Sequence, residues 1–76
     1  MFTYAAFNSN GLIKRSTNRR KAQAHGGTCY FIAGSRRNIA LAVAQLAMHW
    51  EYYAHGTRKG FISDLARSRC VDIETL

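Results

Sequence analysis

Seventy-six residues, 47% of them hydrophobic and 20% charged, with six glycines and no proline, make one small domain and exclude a multidomain enzyme. Eleven Lys and Arg against four Asp and Glu give a net charge of +7, so polyanions or acidic protein surfaces are the natural partners. No apolar run approaches the roughly 18 residues of a membrane span, and the N-terminus lacks a charged region followed by a hydrophobic stretch and a cleavage site. The chain therefore reads as soluble and cytoplasmic, without a membrane partner. A domain this small buries only about 60% of its unfolded surface, so a second copy in a homodimer, or another partner, would help to hold its thin core.

Phe2 to Phe7 is rich in β-formers and is followed by Asn8-Ser9-Asn10-Gly11 and then by Leu12 to Thr17. The Asn-Gly pair tolerates positive φ at both positions and predicts a hairpin closed by a type I′ turn. Asn18 to His25 starts on cap-type residues, holds the consecutive cations Arg19, Arg20 and Lys21, and ends on Gly26. It is read as a short helix or irregular loop, with a basic extension of the second strand as the alternative. Thr28 to Ala33, bounded by glycines, predicts a third strand buried on at least one face.

Ser35 is an N-cap for a dominant helix running from Arg36 to about Tyr53. Ile39, Val43, Leu46, Trp50 and Tyr53 recur at helical spacing and form the stripe that covers the sheet. After Gly56 to Gly60, Phe61 and Leu65 share a face and predict a short second helix. Val71, Ile73 and Leu76 alternate with polar residues as a short edge strand or a fraying tail. The fold expected is α+β: a three-stranded antiparallel sheet covered by one long helix, with a short C-terminal helix, in a single domain spanning 1–76.

Charge is unevenly placed. Lys14, Arg15, Arg19, Arg20, Lys21, Arg36 and Arg37 occur in the first fifty residues without one acid, whereas the remainder holds four of each sign. Two candidate surfaces follow. At the start of the main helix, Ser35, Arg36 and Arg37 join a hydroxyl and two guanidinium groups to free N–H groups, a combination suited to phosphate or carboxylate. The outgoing arm of the hairpin, Lys14-Arg15, continues into Arg19-Arg20-Lys21 as a basic ribbon able to contact phosphates and base edges. Tyr4, Phe7, Tyr30 and Phe31 lie on neighbouring strands; Phe7 and Phe31 read as core, while Tyr4 and Tyr30 suit a wetter edge where bases stack. Leu41, Met48 and Tyr52 form a second stripe opposite the first, either packed by the Phe61 segment or offered to a partner protein or second copy.

Cys29 and Cys70 match no zinc spacing, and Cys29 reads as a small buried hydrophobe. His25, His49 and His55 are not paired by any helical or ligand spacing. No catalytic site, metal site or cofactor is expected, and the chain is read as a non-enzymatic protein. An N-terminal hairpin followed by the Ala-rich helix running Gln45-Leu46-Ala47-Met48-His49-Trp50-Glu51 resembles, over about half the chain and in general form, small phage-encoded inhibitors of the anti-CRISPR type. Many of those are acidic, so the positive charge is a departure from them. The resemblance implies a protein that binds a host effector complex and blocks its access to nucleic acid, and it transfers no site residue. The expectation is a small basic module, phage or mobile-element encoded, that engages nucleic acid or a nucleoprotein complex. The alternative is an inhibitor that meets an acidic surface of a host effector protein.

Overall fold

Two strands, β1 (Phe2–Asn8) and β2 (Gly11–Ser16), pair antiparallel as the N-terminal hairpin in the computed structural model, which describes residues 2–75. The turn differs from the expected type I′. Asn10 has its N–H held by Asn8 Oδ1 at 2.8 Å and does not take positive φ; Gly11 alone does, at 130°. Register then slips between Ala6 and Phe7, so that Ala6 faces Lys14, Phe7 faces Leu12, and Ile13 forms a bulge.

The third strand, β3, spans Tyr30–Ser35 and starts two residues later than the sequence suggests. Thr28 is instead turned back to donate its hydroxyl to the His25 carbonyl at 2.6 Å, and Cys29 N–H reaches the Phe7 carbonyl at 2.7 Å. A five-residue helix, α1 (Arg19–Gln23), occupies the uncertain basic segment, with Asn18 Oδ1 accepting from Lys21 N–H at its N-terminus. The main helix, α2 (Arg36–His49), is capped by Ser35, whose Oγ accepts from Asn38 N–H at 3.2 Å.

Three expectations need correction. First, α2 ends at His49 and tightens into a 3₁₀ turn over Trp50–Tyr52 instead of continuing to Tyr53. Trp50 is drawn to the sheet there: its Nε1–H donates to the Ser9 carbonyl at 3.2 Å and its ring stacks on Phe7 with centroids 5.4 Å apart. Second, the C-terminal helix α3 runs His55–Arg69 and is as long as α2, not a short helix beginning at Phe61. Its first turn is anchored by tertiary bonds that outweigh its two glycines: the Tyr30 hydroxyl donates to the His55 carbonyl at 2.7 Å, and Arg58 Nε donates to the Trp50 carbonyl at 3.1 Å. Third, the sheet has four strands, not three. Cys70 takes a left-handed conformation, φ 53°, that ends α3 and reverses the chain into β4 (Asp72–Thr75), which pairs antiparallel with β3. Val71 leads into it by packing over Gly34, where a Cβ would come within 2.8 Å of Val71 Cγ1. Leu76, expected to extend that segment, lies outside the described residues.

The sheet order is β2-β1-β3-β4, and both faces are used. On one face Ala5, Phe7, Tyr30 and Ile32 meet Ile39, Ala42, Leu46 and Trp50 of α2 and its turn, and Ile62, Leu65 and Ala66 of α3. On the other, Ala22 of α1 closes over Ala6 and Phe31. The structure is therefore α+β in three layers, with a small second core that a single covering helix would not provide. Among the described residues, no helix is long and apolar enough to cross a membrane.

Gly56 and Gly60 lie within α3, and a Cβ at either would meet no atom within 4 Å. Gly56→Ala and Gly60→Ala should each stabilise the fold by about 0.5–1 kcal/mol in chemical denaturation. Burial pushes the Tyr30 phenol above its ordinary value, Cys29 adds to that, and Arg58 offsets it. Because the folded value is raised, this contribution to stability is intact below the ordinary value of 10.0 and is lost as pH climbs from there through the raised value. Tyr30→Phe should cost about 1 kcal/mol at neutral pH by removing the bond to His55. It should also flatten the alkaline loss of stability in urea unfolding.

Candidate functional site

Residues directly opposite one another in paired strands share a face, so consecutive residues of β2 separate. Arg15, opposite Ala5, lies on the α2 face, whereas Lys14, opposite Ala6, lies on the α1 face. Pairing of β1 with β3 sets Phe2 opposite Ser35, and pairing with β2 sets Tyr4 opposite Ser16. The start of β1, the end of β2 and the N-terminus of α2 thus meet at one end of the sheet.

There Thr3, Arg15, Ser16, Thr17 and Arg36 line a cleft of about 470 Å³. Two cations that are 21 positions apart in the chain are brought to one cavity, with three hydroxyl side chains. The first turn of α2 holds Arg36 and Arg37 and no acid, so each cation opposes the positive end of the helix at a cost of about 0.3–1 kcal/mol. Thr3 is only 4% exposed, and its Oγ1 is buried with no hydrogen-bond partner among the described residues. An unmade bond of this kind costs about 1–3 kcal/mol. An anion in the cleft would offset the repulsion at the helix start.

The opposite face carries Lys14, Arg19 and Lys21. Lys14 and Lys21 border a shallow basin with Ala24, His25 and Gly26. The Arg19 guanidinium lies over the Phe31 ring at 5.4 Å. Beside it, Phe2, Tyr4, Arg19, Phe31, Ala33, Asp72 and Ile73 line a groove of about 270 Å³. Arg20 and Arg37 are exposed and border neither the cleft nor the groove. The single basic ribbon expected from sequence is therefore divided between two faces, because strand alternation separates Lys14 from Arg15 and α1 folds back over the face that holds Lys14.

Among the aromatics, Phe7 and Phe31 are core. Tyr30, expected at a wetter edge, is buried, with its hydroxyl engaged by His55. Tyr4 is half-buried and stacks on Phe31 at 5.8 Å, and Phe2, which the sequence did not single out, is 57% exposed. Leu41, Met48 and Tyr52 are exposed at 40%, 72% and 80%. The Phe61 segment does not pack them; Phe61 stacks on Tyr53 at 4.8 Å and meets His49 edge-on at 5.7 Å. Arg58, counted in the sequence only as one of the C-terminal cations, proves structural: it bonds the carbonyls of Ser9 and Trp50 and covers the Trp50 ring at 4.6 Å. Cys29 and Cys70 are free thiols. Thr3 was legible in principle, since strict alternation along β1 puts this polar residue on the same face as Ala5 and Phe7.

The chain matches no protein-family model, no curated protein and no solved structure. Thr3→Val keeps the shape, removes the unpartnered hydroxyl, and should raise unfolding free energy by about 1 kcal/mol in a denaturant titration.

Proposed function

We propose that this protein is a small, non-enzymatic module that binds nucleic acid by its phosphates, with the cleft between β1, β2 and α2 as the principal contact. The observation that carries this reading is the meeting of Arg15 and Arg36 beside the unpartnered, buried Thr3 hydroxyl at the N-terminus of α2. A phosphate in that cleft would take charge-assisted bonds from two guanidinium groups and accept from the backbone N–H groups of the helix start and from the hydroxyls of Ser16 and Thr17. Arg37, Arg20, Lys21 and Lys14 supply the surrounding positive field that steers a polyanion. Engagement of a nucleoprotein complex follows from the same surface.

Fluorescence anisotropy with labelled DNA and RNA at about 50 and 200 mM salt tests it, because affinity for phosphates falls with salt in proportion to the number neutralised. Arg15→Glu combined with Arg36→Glu should weaken binding at least about tenfold and lower the log–log salt slope by roughly two. Arg67→Glu, at an exposed residue paired with Asp64 at 2.7 Å, should change little. Salt-independent affinity, or full affinity in the double variant, contradicts the reading.

A second reading has its own observation, the uncovered stripe of Leu41, Met48 and Tyr52. In it the protein is a phage or mobile-element inhibitor of the anti-CRISPR type in the host cytoplasm. That stripe anchors a host effector protein while Arg36 and Arg37 meet its acidic surface. Tyr52→Ala, at a residue that is 80% exposed, should then abolish a protein complex without unfolding the chain.

A further inference from the structure

The groove on the α1 face differs in kind from the cationic cleft. Its walls are rings: Phe2 and Tyr4 stand edge to face, 6.4 Å apart at 80°, and Tyr4 lies nearly parallel to Phe31, 5.8 Å apart at 15°. The Arg19 guanidinium continues this ladder over Phe31 at 5.4 Å. These side chains project from β1 and β3, the two central strands, on the face that α2 and α3 leave uncovered. Across the groove stands Asp72, at the start of β4.

A carboxylate there decides which part of a nucleic acid fits. Asp72 repels a phosphate, but it accepts hydrogen bonds from the ring and exocyclic N–H groups of a base. Flat apolar walls with an acceptor opposite them suit a planar heterocycle with N–H donors. A volume of about 270 Å³ is small for a drug-sized pocket but adequate for one ring system. Cations on the same face, Lys14 and Lys21 about their basin, are placed to follow the strand's phosphates away from it.

Resting on the nucleic-acid reading above, we propose that this groove receives an unpaired base of single-stranded nucleic acid, stacked on the exposed Phe2 ring with its N–H edge toward Asp72. A duplex keeps its ring faces covered by neighbouring base pairs, so a site made of ring walls selects single strands. Phe2 then has a role that its burial does not explain: a large apolar side chain left 57% exposed at the mouth of an aromatic groove. The groove and the Arg15–Arg36 cleft lie at the same end of the sheet, on opposite faces, since Phe2 is opposite Ser35 and Tyr4 is opposite Ser16. One strand turning around that end can place a base in the first and a phosphate in the second.

Three labelled probes test this by anisotropy at one salt concentration: a mixed-sequence single strand, the same strand with every nucleotide replaced by an abasic spacer, and a duplex of the same sequence. The single strand should bind about tenfold tighter than the abasic strand, in line with the loss of a stacked base, and tighter than the duplex. Phe2→Ala, at a side chain exposed enough to leave the fold intact, should remove most of that advantage and leave affinity for the abasic strand unchanged. Equal affinity for the intact and abasic strands, or an advantage that survives Phe2→Ala, overturns the base site while leaving phosphate binding in place. Failure of all three probes to bind overturns both.

Discussion

Pairing of β1 with β3, in register from Phe2 opposite Ser35 to Phe7 opposite Tyr30, is the constraint from which the rest of the molecule follows. It puts β1 at the centre of the sheet, with Ala5, Ala6 and Phe7 buried. It also fixes where α2 begins, because Ser35 ends β3 and caps the helix in the same residue. With that point set beside Phe2 and Thr3, the end of β2 brings Arg15 to Arg36, and a cationic cleft arises from residues that no local motif unites. Strand alternation does the complementary work of sending Lys14 to the other face.

The opposite end of the sheet is closed by Trp50. Its ring is flanked by Phe7, by Tyr30 edge-on at 6.0 Å, and by the Arg58 guanidinium, while its indole N–H and Arg58 both bond the Ser9 carbonyl. Hairpin turn, main helix and C-terminal helix are thereby fastened at one residue. Tertiary bonds are concentrated at that end, whereas an unpartnered threonine hydroxyl, two cations at a helix N-terminus and an exposed phenylalanine beside a groove sit at the other. Departures from local consistency of this kind are expected where a protein meets a ligand.

Much of the architecture was legible because the deciding signals were local. Ser35 and Asn18 are both caps, and the hairpin forms where Gly11 allows the turn. Of the predicted stripe, Ile39, Leu46 and Trp50 are in the core and Val43 packs against it, whereas Tyr53 is exposed beside Phe61. What the sequence hid was decided by contacts between distant residues. Gly56 and Gly60 read as breakers, yet Tyr30 and Arg58 hold the first turns of α3 in place. β4 is four residues long, and the alternation of Val71 and Ile73 left it open between edge strand and tail, a choice decided by the close approach of Val71 to Gly34. In the same way the basic residues were visible as a list, but their division between two faces depended on strand pairing and on the direction in which α1 folds back.

The proposed binding surface is the cationic end of the sheet, not the exposed Leu41, Met48 and Tyr52. Backbone amide chemical shifts of the labelled protein, followed as a short single-stranded oligonucleotide is added, distinguish the two. Shifts should saturate and map to Phe2, Thr3, Tyr4, Arg15 to Thr17, Arg19, Arg36 and Asp72, with Met48 and Tyr52 unmoved. Shifts centred on Leu41, Met48 and Tyr52, or no shifts at all, would contradict it.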